Sequence, residues 1–208
     1  KNYLKTVYNH VRKSGGVCIA DEVQVGFGRV GDAFWGFELQ DAVPDIIVLG
    51  KPIGNGHPLA AVIVTNEIAD AFNNGLEYFN TFGGNPVSMT TGLAVLDVIQ
   101  EEEMQEHAKE VGNHLMDGLR KLMEKYPIIS DVRGHGLFIG AEMVKDRITM
   151  EPAIPEIDIV VEKMKEKGYL LSTDGPLHNV LKIKPPMPFN KQNADEMVLF
   201  LDVILSEI

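Results

Sequence analysis

The 208-residue sequence is 45% apolar and 24% charged, with 20 Gly and 11 Pro, proportions that exclude collagen, low-complexity disorder and a coiled coil. A formal net charge of −11 argues against a nucleic-acid partner, because a phosphate backbone is repelled by such a chain. No run approaches the roughly 20 apolar residues that a spanning helix needs, so no membrane partner is expected either.

Tyr3, Leu4, Val7, Tyr8 and Val11 recur at helical spacing, and Ser14-Gly15-Gly16 stops that helix. Val17–Ala20 is a short continuous apolar run, predicted as a buried strand that delivers Asp21 and Glu22 at its carboxyl end. A loop containing Gly26, Gly28 and Gly31 follows. Asp45–Leu49 predicts a second buried strand, closing on Gly50-Lys51, and Leu59–Val64 a third. Strands alternating with helical segments imply an α/β layer with a largely parallel sheet.

The pattern changes near residue 86. Val87–Gln100 predicts a helix whose Ser88, Thr91, Gly92 and Ala94 permit close packing. Glu101–Lys125 predicts a long amphipathic helix with Met104, Ala108, Val111, Leu115, Leu119 and Met123 on one stripe. Strands are then expected at Ile128–Val132, Leu137–Met143, Tyr169–Ser172 and Val180–Ile183, with helices at Ile157–Lys167 and Ala194–Ile208. This second half reads as a compact α+β domain. The expected division is 1–103 for the first domain and 104–208 for the second.

Four residues stand where chemistry is expected. Lys51 follows a buried strand, and in open α/β sheets ligands collect at the carboxyl ends of strands. A lysine there is a candidate for Schiff-base chemistry, against the alternative of a solvated side chain. Asp21, also at a strand end, could cap a loop or pair with a protonated pyridine nitrogen. A metal is not expected, because no His or Cys cluster has ligand spacing and Asp21 and Glu22 point to opposite faces of a strand. Thr81, beside Gly83-Gly84 and ahead of a helix start at Pro86, suits a phosphate cradle or an ordinary helix entry. Arg133, between a strand and glycine turns, reads as an anion clamp or as a surface ion pair with Asp131 or Glu142. Cys18 is the single cysteine and forms no internal disulfide, so a reducing, cytoplasmic setting is expected.

Taken in order, Ala20-Asp-Glu-Val-Gln-Val-Gly-Phe-Gly-Arg29, Gly50-Lys51 after Pro-Asp-Ile-Ile-Val-Leu, Thr81-Phe-Gly-Gly-Asn-Pro86 and Val132-Arg-Gly-His-Gly-Leu-Phe-Ile-Gly140 resemble the class III (ornithine and ω-amino acid) aminotransferases. The resemblance implies fold-type I: part of the large parallel-sheet domain that binds pyridoxal 5'-phosphate, followed by an α+β carboxyl-terminal domain. Phe34-Trp-Gly-Phe-Glu-Leu-Gln40, Gly54-Asn-Gly-His-Pro58, Glu77-Tyr-Phe-Asn-Thr-Phe-Gly-Gly84, Leu170-Leu-Ser-Thr-Asp-Gly-Pro176 and Leu181-Lys-Ile-Lys-Pro-Pro-Met187 resemble one subgroup. It is the alanine–glyoxylate aminotransferase 2-like group, which includes phospho-lyases acting on ethanolamine phosphate and phosphohydroxylysine.

The resemblance implies that Lys51 anchors the cofactor as an aldimine and moves protons, and that Asp21 pairs with the pyridine nitrogen. Val23 packs on one ring face, Gln24 meets the phenolic oxygen, and Thr81 binds the cofactor phosphate across a homodimer interface. Arg133 receives the anionic group of a small amine or amino acid substrate. Phosphate elimination from a phosphorylated amine is the preferred expectation. Amino transfer to pyruvate or glyoxylate is the alternative, and an inactive fragment or structural paralogue the second. The sequence opens on Lys1, and the family's remaining cofactor groups are expected upstream of it, so the 208 residues alone are not expected to hold a complete site.

Overall fold

The computed structural model describes residues 2–208. They divide into two compact units. One takes the chain up to Gly28 together with Asp32–Gln105; the other takes Arg29–Gly31 together with Glu106–Ile208.

In the first unit, helix α1 (Tyr3–Lys13) buries Tyr8, which packs with Cys18 and Ala42. Its last turn is tied down by Arg12, which donates from Nε and Nη2 to Asp45. Asp45 also accepts the Cys18 N–H at 2.7 Å. The Arg12 guanidinium, then the Cys18 N–H, holds the Asp45 carboxyl below its ordinary range. Strands β1 (Ile19–Asp21), β2 (Ile46–Leu49) and β3 (Ala61–Val64) form a three-stranded sheet in that order. β1 and β2 are parallel; β2 and β3 are antiparallel. The expected parallel character thus holds for one pairing and not the other. Residues 50–60 join β2 to β3 without the helical crossover that a parallel return requires. The run from Val17 is also less buried than its apolarity predicted. Cys18 and Ala20 point inward while Val17 and Ile19 are 52% and 58% exposed, the alternation of a strand with one open face. Helices α2 (Asn66–Phe72) and α3 (Pro86–Glu101) complete the unit.

In the second unit, α4 (Met104–Lys125) presents Leu115, Leu119 and Leu122 to a sheet core. Strands β4 (Ile129–His135), β5 (Phe138–Asp146), β7 (Ser172–Asp174) and β8 (Val180–Ile183) lie in the order β4-β5-β8-β7, all antiparallel, with the short β6 (Glu151–Pro152) on β5. Alternation sorts the two faces. Val132, Ile139, Ala141, Met143, Leu181 and Ile183 turn toward α4, α5 (Ile154–Glu166) and α6 (Lys191–Leu205). Arg133, Gly140, Lys182 and Ser172 are direct cross-strand partners and share the opposite face. The segment 29–31 joins this unit through Arg29, whose guanidinium donates to Leu137 O at 3.1 Å and Pro185 O at 2.7 Å. Burial lowers the pKa of Arg29 from its ordinary value.

Candidate functional site

The parallel pair β1–β2 places the first candidates together. Asp21 is in register with Val48, and the Glu22 N–H donates to Val48 O at 3.0 Å. Two residues past the end of β2 the chain reaches Lys51, so the amine and the Asp21 carboxylate emerge at the carboxyl ends of neighbouring strands. Both residues are exposed. Asp21 Oδ1 accepts the Val23 N–H at 3.0 Å, a local turn that swings the chain off the strand and fixes the carboxyl group. The turn sets Val23 beside Gly50: a Cβ at Gly50 would stand 3.4 Å from Val23 Cγ1. Gln24 follows in the same turn and is half-buried.

The backbone at Lys51 is unusual. Gly50 is extended and Lys51 has φ +40°, a left-handed conformation costing a non-glycine residue roughly 1–2 kcal/mol. Such conformations persist where the surroundings over-determine them, and they cluster at functional sites. The turn is locked by Gly54 and Asn55, whose N–H groups both donate to Lys51 O at 3.2 Å. Only glycine fits at 54, since a Cβ there would lie 2.0 Å from His57 O.

Glu22, the neighbour of Asp21, has the opposite fate. It is 2% exposed and accepts the Gly36 and Phe37 N–H groups at 2.8 and 3.0 Å. It thereby closes the loop 22–37, whose interior is filled by Phe27, Phe34 and Trp35 in edge-to-face or tilted contacts. The sequence showed that Asp21 and Glu22 face apart, but it held no sign of which backbone groups Glu22 would satisfy.

Thr81 lies in an exposed segment with Tyr78, Phe79 and Phe82, which are 71%, 77% and 80% exposed. The α3 N-terminus that follows is capped from within: Asn85 Oδ1 accepts the Ser88 N–H at 3.0 Å. Ser88 Oγ is in turn 2.8 Å from His57 Nε2. His57 had carried no role in the sequence beyond membership of a motif, because its partner is 31 residues away.

Arg133 belongs to the second unit. Its Nη1 donates to Asp131 Oδ2 at 2.6 Å and Glu142 Oε2 at 2.7 Å, two carboxylates on one guanidinium. These bonds, Asp131 first, raise its pKa further. The same sheet face forms an open cleft lined by Arg133, Phe138, Gly140, Asp174, Lys182 and Lys184. Lys182 is paired with Asp174 at 2.8 Å. No group of His, Cys, Asp and Glu suited to a metal exists among the described residues.

The donor set of the first unit fits an aldehyde-bearing phosphorylated pyridine: an amine to condense, a carboxylate for a ring nitrogen, an apolar side chain against a ring face and a hydroxyl for phosphate. The comparisons agree. The family model described as aminotransferase class-III matches residues 1–205. A Drosophila melanogaster protein named alanine–glyoxylate aminotransferase 2-like is 52% identical over 199 residues, 95% of this chain and 40% of that protein. The Caenorhabditis elegans ethanolamine-phosphate phospho-lyase homolog 1 is 46% identical over 209 residues, 99% of this chain and 45% of that protein. Among solved structures, an Arthrobacter phospholyase in complex with phosphoethanolamine superimposes with a TM-score of 0.96 at 38% identity, covering 100% of this chain and 49% of that one. The chain thus spans half or less of the length of these relatives.

Proposed function

Because this chain belongs to the class III aminotransferase family, whose cofactor is pyridoxal 5'-phosphate, we propose that it carries the lysine-bearing half of a site that eliminates phosphate from a phosphorylated amine such as ethanolamine phosphate. The observation that carries the reading is the emergence of Asp21 and Lys51 from the carboxyl ends of the parallel pair β1–β2. The likeness to the Arthrobacter phospholyase supports the choice of substrate class.

Bound pyridoxal 5'-phosphate supplies an electron sink for the pair left on carbon when a C–H proton departs. The residues of this chain do the rest. Lys51 Nζ would hold the cofactor and would take the proton that leaves the substrate carbon. The Asp21 carboxylate keeps a proton on the ring nitrogen. Val23 would cover a ring face, Gln24 would meet the phenolic oxygen and Thr81 would bind phosphate on the neighbouring copy of a homodimer. Arg133, released from one of its two carboxylates, grips the substrate's anionic end through a guanidinium fork.

A second reading, amino transfer to pyruvate or glyoxylate, is favoured by the 52% identity to the alanine–glyoxylate aminotransferase 2-like protein. Both share proton removal by Lys51, so one assay separates them. The intact protein is incubated with phosphoethanolamine, and separately with amino acid and keto acid pairs. Phosphate release without keto acid exchange is the expected result. Efficient exchange with no phosphate release would overturn the lyase reading in favour of transfer. Borohydride reduction followed by peptide mapping is expected to leave the cofactor on Lys51.

A further inference from the structure

A continuous hydrogen-bonded path inside the first unit joins the Lys51 turn to the segment that carries Thr81. We propose that His57, in the middle of this path, is a positioning residue that holds the Lys51 turn against its own cofactor and the Thr81 segment against that of the neighbouring copy; the inference rests on the reading of Lys51 and Thr81 given above.

The path begins at Lys51 O, which accepts the Gly54 and Asn55 N–H groups. Gly54 O then accepts the His57 N–H at 2.9 Å. The imidazole crosses to the helix, its Nε2 standing 2.8 Å from Ser88 Oγ. Ser88 is buried, and its hydroxyl oxygen also accepts from Asn85 Nδ2 at 3.0 Å. With that donor in place, the serine O–H is free to donate to Nε2. Asn85 Nδ2 also donates to Phe82 O at 2.8 Å. On the other side of Thr81, Asn80 Oδ1 accepts the Phe82 and Gly83 N–H groups at 3.2 and 3.0 Å. Thr81 therefore sits between two asparagines that fold its own segment, and one of them bonds to the serine that holds His57.

Packing follows the same line. Gly92 of α3 has no side chain, and a Cβ there would lie 2.9 Å from Leu59 Cδ2, so the helix lies directly against the loop that His57 closes. Lys51 and Asn55 both have positive φ, +40° and +44°. A turn with two such non-glycine residues needs outside restraint, and the His57–Ser88 bond supplies it from a helix of 16 residues. A purely structural histidine would lower the melting temperature when removed. Removal of a positioning histidine would also loosen the cofactor, because the Lys51 turn and the Thr81 segment, which serve the two cofactors of a shared pair of sites, would lose their common restraint.

The test uses the intact protein loaded with pyridoxal 5'-phosphate. Loss of the visible absorbance of bound cofactor is followed after dilution, beside thermal unfolding of the cofactor-free form. His57→Ala is expected to release cofactor about five- to tenfold faster, the effect of one hydrogen bond. His57→Gln, whose amide reaches Ser88, is expected to recover most of the wild-type rate. Ser88→Ala is expected to match His57→Ala, and the double variant to add nothing, since both act through one bond. Wild-type release rates in His57→Ala, or a Gln variant no better than Ala, would overturn the proposal while leaving Lys51 trapping intact. If borohydride fails to fix the cofactor on Lys51 in the wild type, the reading of the site fails and the inference falls with it.

Discussion

The two units place their apolar residues very differently. In the second, one large cluster runs from Leu115 and Leu119 on α4 through Met143 and Ile183 on the sheet to Met197 and Leu201 on α6, beside a smaller one of Ala108, Val111 and Leu137. In the first, the buried cluster comprises Tyr8, Cys18 and Ala42, while Ile19, Val62 and Ile63 on the strands stay substantially exposed. The candidate cofactor residues all lie in the first. They are held by short polar ties, such as Glu22 on two N–H groups and Asp45 between Arg12 and Cys18, rather than by a dense core. Substitutions of the candidate cofactor residues in the first unit should therefore change chemistry more than stability, and substitutions in the core of the second the reverse.

Lys51→Ala is the most severe break. Loss of the covalent anchor and proton carrier should cost many powers of ten in kcat, with far-ultraviolet circular dichroism unchanged. Activity within tenfold of wild type would remove Lys51 from the mechanism. In the second unit, Leu119→Ala is expected to destabilise by about 2–5 kcal/mol in denaturant unfolding, because Leu119 is fully buried. Its counterpart Val62→Ala, at a residue 64% exposed, should stay within about 0.5 kcal/mol. Equal losses at the two positions would erase the contrast.

Glu22→Ala sharpens it from the other side. It strands the Gly36 and Phe37 N–H groups in a buried place, at about 1–3 kcal/mol, with no large cavity to blame. Each carboxylate oxygen accepts one of these N–H groups, so Glu22→Gln keeps one acceptor and sets an NH2 donor against the other N–H. It is expected to lose stability as well, and wild-type stability in both variants would remove the tie.

The smallest effects appear on titration, at opposite ends of the pH scale. Asp45 has a folded pKa below its ordinary 3.8. Its contribution is therefore complete above that value and is lost as pH falls through the folded one. Unfolding midpoints of the wild type should drop more on acidification than those of Arg12→Ala. In the second unit the Tyr169 hydroxyl donates to Glu196 Oε2 at 2.8 Å. Burial first, then that carboxylate, pushes its pKa up to about 12. Its contribution is complete below the ordinary 10.0 and disappears as pH rises toward the folded value. Tyr169→Phe should flatten the alkaline limb, and an unchanged limb would exclude that tie.

Elements with strong periodicity were legible within a few residues. The stripe of Ala108, Val111, Leu115 and Leu119 became the buried side of α4, and Val180–Ile183 became β8. The two-residue β6 escaped because it is too short to show a period, and α2 because its seven residues carry no sustained stripe. The candidate residues Asp21 and Lys51 were visible as strand ends in motifs. Their emergence from neighbouring strands was not, because pairing partners are chosen over a distance in sequence that local pattern does not encode.

The sequence by itself determined which segments could bury a face, where backbone turns had to fall, and which family's cofactor motifs it carries. Each of these depends on neighbours a few residues apart. Only the tertiary structure decided the antiparallel return of β3, the contrasting fates of Asp21 and Glu22, that Arg133 engages both of the carboxylates its sequence offered, and the link from His57 to Ser88. Each of those is a contest between distant groups for one partner, and it is settled by which backbone donors and side-chain charges the fold brings within hydrogen-bond reach.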